Sequence, residues 1–310
     1  MTALTVIVLL AGLLLITLGA DWLVDGAGGI ARKAGVSEFV IGLTIVGFGT
    51  SCPELVVSLT GAIEGLSDVA IGNVVGSNIF NAMLILGLTA IIAPVSVTAS
   101  NKRRDIPLVL LFTLLLIGAG LWGNDISRME GVLFLIIFSV YLWYSFRNGG
   151  NDDDSAADGK QMGLGKAIFL TLIGLAGLIG GGRMFVNSAV DIAHALGVSE
   201  KVIALTLLAG GTSLPELITS AVAALKHRSQ LALGNILGSN VFNILLILGC
   251  SSVITPLSFS GIDVADMIAL VLSAVLMMVA GIIGKGRIGR GYGVLFCLVW
   301  VAYIAYLLTI

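Results

Sequence analysis

Charged residues are scarce in this chain: Asp, Glu, Lys and Arg make up 11% of its 310 residues, while 57% are hydrophobic. A mean hydropathy of +1.09 lies well outside soluble globular composition and describes a polytopic membrane protein. With 16 basic residues and a net charge of −2, no surface can neutralise a run of phosphates, which excludes nucleic-acid partners. Cysteine is equally sparse. Cys52, Cys250 and Cys297 lie in apolar surroundings without metal-type spacing, which argues against a disulfide framework and a zinc site and makes them packing residues. Histidine occurs twice, as His194 and His227 near the ends of apolar segments, and no HExxH sequence exists, so an intramembrane metalloprotease lacks its chemistry.

What the chain has is apolar length. Windows of about 20 residues, enough to cross a bilayer, predict ten spans at roughly 4–24, 38–60, 69–93, 106–122, 130–146, 166–187, 200–223, 231–254, 264–283 and 291–308. The first lacks a basic leading region and a cleavage pattern and is read as a helix of the mature chain. Lysine and arginine collect on the cytoplasmic side. The loops after spans 1, 3, 5, 7 and 9 hold 13 of the 16, which predicts both termini outside and the loop between spans 5 and 6 inside. That loop, "NGGNDDDSAADGKQMGLG", has the composition of a flexible linker, and its acidic run Asp152 to Asp154 reads as solvated.

The linker divides the chain into a first half (1–147), the linker itself (148–165) and a second half (166–310), and the halves match at a constant offset of 162 residues. "GTSCPE" at 49–54 returns as "GTSLPE" at 211–216. "AIGNVVGSNIFNAMLILG" at 70–87 returns as "ALGNILGSNVFNILLILG" at 232–249, identical at 12 of 18 positions without a gap. Five spans per half is an odd number, so the two halves must be inserted with opposite orientation. The expected fold is therefore an all-α membrane protein of ten transmembrane helices in two inverted five-helix repeats, with broken helices 2, 3, 7 and 8 near the midplane, as in many secondary transporters.

Pro53 and Pro215 free the carbonyls of Gly49 and Gly211 and are expected to kink spans 2 and 7. Each is followed by a glutamate. Glu54 and Glu216 are costly in a bilayer unless paired, no basic residue lies at comparable depth, and Arg183 sits near the end of span 6, so a cation from solution is the expected partner. Thr50 and Thr212 stand four residues before the glutamates on the same helical face, and Ser51 and Ser213 flank them. In spans 3 and 8, Asn73, Ser77 and Asn81, and Asn235, Ser239 and Asn243, step by four. Four stripes related by the repeat describe one cavity of carboxylates, hydroxyls, amide oxygens and freed carbonyls. These hard donors suit Ca²⁺, and equally Na⁺, and do not suit zinc or copper.

"GTSCPEL" with "GNVVGSNIFN" and "GTSLPEL" with "GNILGSNVFN" resemble the two alpha repeats of the sodium/calcium exchanger family, within the cation/calcium exchanger superfamily, in a compact prokaryotic form. The resemblance implies four adjacent cation sites with Glu54 and Glu216 central to Ca²⁺ and Na⁺. It further implies that Thr50 and Thr212 contribute mainly carbonyl oxygens, that Ser51, Ser77, Ser213 and Ser239 line the sodium sites, and that Gly47 and Ala209 fall where the family uses backbone carbonyls. Asn81 and Asn243 complete the set. Many relatives, potassium-dependent exchangers among them, carry aspartate where this chain has Asn243, which reads as potassium-independent exchange. No cofactor is expected beyond the transported ions, and the protein is expected as a monomer in the plasma membrane.

Two empty glutamates in a low-dielectric cavity repel each other, so the unloaded protein should cross between its facing states reluctantly, while one Ca²⁺ or several Na⁺ ions restore balance. Obligatory antiport follows. The family further implies that spans 1 and 6 slide across an eight-helix core, their glycines, including Gly174, Gly177 and Gly180 to Gly182, allowing close backbone contact. The alternatives are a Ca²⁺/H⁺ exchanger that protonates the same glutamates, and a channel, against which the inverted repeat argues.

Overall fold

The computed structural model describes residues 3–148, 162–197 and 209–309. The chain folds as α1 (Ala3–Ala34), the bent pair α2 (Glu38–Thr50) and α3 (Cys52–Ile63), α4 (Ser67–Ile92), β1 (Val95–Ser96), α5 (Asn101–Gly123), β2 (Asp125–Ile126) and α6 (Arg128–Asn148). After the linker come α7 (Leu164–Ala195), a single turn Ala209–Gly211, α8 (Leu214–Leu225), α9 (Ser229–Ile254), β3 (Leu257–Ser258), α10 (Val264–Ile283), β4 (Arg287–Ile288) and α11 (Arg290–Leu307). Among the described residues, eight helices are long and apolar enough to cross a membrane, or nine with α2 and α3 counted as one span. Most of the linker and residues 198–208, which include the first part of the expected seventh span, lie outside the described residues.

The 162-residue offset of the sequence reappears in the elements: Cys52–Ile63 answers to Leu214–Leu225, Ser67–Ile92 to Ser229–Ile254, and Val95–Ser96 to Leu257–Ser258. Even the turn after α3 recurs after α8. Gly65 takes a left-handed φ of 75°, which suits glycine, and His227 takes the same conformation at 58° at the matching position. Strand β1 pairs antiparallel with β4 and β2 with β3, each pairing joining the two halves through short loops.

Helices α1 and α7 run beside each other in opposite directions, held by glycine contacts. A Cβ on Gly12 would stand 2.7 Å from Phe185 N, on Gly19 2.7 Å from Leu178 N, and on Gly26 2.6 Å from Thr171 N. Their backbones therefore touch along a seam spaced by seven residues, the small-residue packing expected of membrane helices. Both helices continue beyond the predicted spans, to Ala34 and Ala195. In α1 the charged turns stay helical because Asp21 and Asp25 find Lys226, at 2.6 and 2.8 Å. The remaining helices share one apolar core, with α9 buried along almost its whole length and α4 along two thirds of it.

Candidate cation site

The site forms where α2 and α8 meet the middle of α4 and α9. Between α2 and α3 the chain bends by 50° at Ser51, whose φ of −82° and ψ of 7° interrupt the helix. Ser213, at −88° and 7°, does the same before α8. The 50° bend answers the kink expected in span 2, and each proline stands just after its break. Pro53 and Pro215 occupy the first turns of new helices, where a missing N–H costs nothing, so each helix restarts instead of bending through. Glu54 and Glu216 consequently fall in the first turns of α3 and α8, where unpaired N–H groups and the helix dipole favour a carboxylate. Spans 3 and 8, expected to be broken, are continuous. Without a proline, each instead widens into a π-helical stretch, Phe80–Ile85 and Phe242–Ile247, which carries Asn81 or Asn243 as its second residue.

The halves exchange donors across the site. Ser51 Oγ donates to Glu216 Oε1 at 3.0 Å, and Ser213 Oγ donates to Glu54 Oε1 at 2.9 Å while lying 3.3 Å from Ser77 Oγ. Ser239 Oγ reaches Glu216 Oε1 at 3.5 Å. Thr50 Oγ1 lies 3.1 Å from both Asn235 Oδ1 and Val46 O, with one proton to share between them. Asn73 Nδ2 donates to the main-chain oxygen of Glu54 and to Ser58, and Asn235 Nδ2 donates to that of Glu216 and to Ser220, so each amide braces the turn that carries a glutamate.

Both glutamates are 1% exposed. Among the described residues neither has a basic partner. Four buried acceptors, Glu54 Oε2, Glu216 Oε2, Asn81 Oδ1 and Asn243 Oδ1, have no hydrogen-bond donor from the protein. A buried carboxylate oxygen left so is expensive, by several kcal/mol per ion. The two carboxylates also lie within electrostatic reach of each other. A cation answers both costs.

Thr212 lines a cavity of about 780 Å³ together with Ser77, Gly210, Gly211 and, from α7 and α10, Arg183 and Asp266. Gly47 packs its main chain against α9, a Cβ there standing 3.2 Å from Ser239 N, and its carbonyl accepts Ser51 N at 3.1 Å. Ala209 opens the single turn that leads to the break at Ser213. Cys52 sits beside the site with Sγ 3.4 Å from Phe48 O. The sequence reading passed over four residues of this network: Ser58 and Ser220, each four residues after a glutamate, and Asn78 and Asn240, each three before Asn81 or Asn243. Those spacings were the available signal.

A family model described as sodium/calcium exchanger protein matches residues 4–147 and 166–309. The sodium/calcium exchanger MaX1 of Methanosarcina acetivorans is 33% identical, with 98% of each chain covered, and the uncharacterised membrane protein MJ0091 of Methanocaldococcus jannaschii is 38% identical over 96% of this chain and 95% of its own. A solved structure of the sodium-calcium exchanger NCX_Mj, soaked with Na⁺ and Ca²⁺, superposes with a TM-score of 0.86 at 36% identity, covering 98% of this chain and 99% of the other. Paired proline-glutamate breaks facing each other between two matched halves, together with these likenesses along the whole chain, establish that the protein belongs to the sodium/calcium exchanger family.

Proposed function

We propose that the protein is a secondary antiporter that exchanges Na⁺ for Ca²⁺ by alternating access, independently of potassium and with net charge movement. The observation that carries this reading is the pair Glu54 and Glu216, fully buried, each bonded to a serine of the other half and each with one oxygen that no protein donor satisfies. One Ca²⁺ balances two carboxylates. Sodium ions sharing the same oxygens must displace it, and the emptied site, with two unbalanced charges in a low dielectric, resists the change of facing state. Exchange is then coupled without a separate gate.

In this reading the ions are held by Glu54, Glu216, Thr50, Thr212, Ser51, Ser213, Ser77, Ser239, Asn81 and Asn243, with main-chain oxygens of Gly47 and Ala209. The protein comprises ten spans in inverted repeats with both termini outside the plasma membrane, and works as a monomer. The opposite directions of α1 and α7, which occupy matching places in the two halves, support the inversion. Asn243 in place of an acid supports potassium independence. A three-for-one exchange would move one net charge per cycle, worth about 2.3 kcal/mol per 100 mV.

The test is ⁴⁵Ca²⁺ uptake into proteoliposomes. Uptake should follow an imposed outward sodium gradient at fixed pH, persist when external K⁺ is replaced by an inert cation, and respond to a clamped potential. Uptake driven by a pH gradient alone would make the protein a Ca²⁺/H⁺ exchanger. Glu54→Gln and Glu216→Gln should abolish calcium exchange in a folded, inserted protein, and retained sodium-driven flux in either would refute the ligand assignment.

A further inference from the structure

An amide side chain has two ends of opposite polarity, and only its oxygen can hold a cation. Asn243 is buried with 0% exposure, and a chain of contacts dictates its orientation. The chain begins at the main-chain oxygen of Asn240, which can only accept. Asn78 Nδ2 donates to it at 3.3 Å. That contact commits Asn78 to present Oδ1 at its other end, and Asn243 Nδ2 donates to this oxygen at 3.0 Å. With its Nδ2 held by that contact, Asn243 leaves Oδ1 as its free end, buried and without a protein donor. Each step follows from which atoms carry hydrogen, so the direction of the whole chain is set by one backbone carbonyl.

We propose that Asn78 is a positioning residue for cation binding, which acts through Asn243 by holding that amide with its oxygen toward the ion. The inference rests on the reading of Asn243 as an ion ligand. Asn78 itself is 2% exposed and meets α9 through both amide atoms, and the role assigned to it is to hold Asn243. Without it, the Asn243 amide is free to rotate and to turn its N–H₂ group, the positive end of the amide dipole, toward the cation. The matching residue Asn81 shows what release looks like: both of its amide atoms lack partners, and so does Asn240 Oδ1, which stands where Asn78 Oδ1 does in the matching chain. Orientation is imposed on one of the two asparagines only.

A double-mutant cycle on calcium KM, measured by sodium-driven ⁴⁵Ca²⁺ uptake in proteoliposomes, tests this. Asn243→Ala and Asn78→Leu, the latter keeping the side-chain shape, should each raise KM by about tenfold, the worth of one hydrogen bond to an ion. The change should fall on KM far more than on maximal rate, the thermal unfolding midpoint in detergent should drop in the Asn78 variants because the Asn240 carbonyl loses its donor, and the KM of the double variant should match that of Asn243→Ala alone, because both act through one oxygen. Asn78→Ser serves as the second substitution if the leucine variant does not insert, with the same expectation. Effects that multiply in the double variant, or an unchanged KM in the Asn78 variants, overturn the positioning role. An unchanged KM in Asn243→Ala instead removes the reading of Asn243 as a ligand.

Discussion

Asn235 and Asn73 hold matching places, yet the structure loads them unequally. Asn235 is 1% exposed and joins Ser220, the main-chain oxygen of Glu216 and, through its own oxygen, Thr50 of the other half. Asn73 is only partly buried and serves Ser58 and Glu54 of its own half. Removing a buried donor strands its acceptors, at about 1–3 kcal/mol. Asn235→Ala should therefore lower the melting temperature of the purified protein more than Asn73→Ala, and equal losses would contradict the inter-half contact with Thr50. These residues were legible in the sequence as polar steps of four on apolar helices. Their partners were not, because the donors exchanged between Ser51 and Glu216 and between Ser213 and Glu54 span more than 150 residues, and no local pattern reports which of several hydroxyls meets which oxygen.

The elements follow the same division. Hydropathy located the helices, but it stopped the first span short of the end of α1, because it scores a charge without knowing whether Lys226 waits beside it. The prolines marked the breaks but not their form. A proline inside a helix and one at the start of a new helix have the same local sequence, and only the packed partner decides between them. At this scale the glycine seam makes a sharp prediction. A methyl group on Gly19 would meet main-chain atoms of Gly174, Gly177 and Leu178 at 2.7–3.0 Å, and backbone cannot rotate away as a side chain can. Gly19→Ala must separate α1 from α7, at a cost of about 1–3 kcal/mol. Gly28→Ala is the contrast, since there the obstacle is the far end of the Arg228 side chain, which can turn aside by giving up its bond to the Val24 carbonyl. A lower melting temperature for Gly19→Ala than for Gly28→Ala is expected in detergent, and the reverse order would mean that the seam is not under compression.

At the scale of the whole molecule, the offset of 162 residues relates two charge pairs of opposite sense. Lys226 meets Asp21 at 2.6 Å and Asp25 at 2.8 Å, joining the end of α8 to α1. The matching positions are Glu64, at the end of α3, and Arg183, on α7, with acid and base exchanged. Glu64 and Arg183 form no ion pair with each other among the described residues, and Arg183 instead lines the cavity that reaches Thr212. One contact is closed where the other is open. If the two halves exchange conformations during alternating access, the proposed transport cycle must open Lys226 from Asp21 and bring Glu64 to Arg183. Asp21 is half exposed, and such pairs contribute under about 1 kcal/mol, so the contact marks a state more than it stabilises one. In a background without Cys52, Cys250 and Cys297, cysteines at 21 and 226 should crosslink and trap the state seen here, while cysteines at 64 and 183 should crosslink only in protein that can cycle. Either crosslink should stop sodium-driven calcium uptake, and reduction should restore it. The pair at 64 and 183 should fail to form in protein held without calcium and sodium, whose two unbalanced carboxylates resist the change of facing state. Efficient crosslinking of both pairs in that empty protein would show that the two contacts do not alternate, and would count against the expected sliding of α1 and α7 across the core.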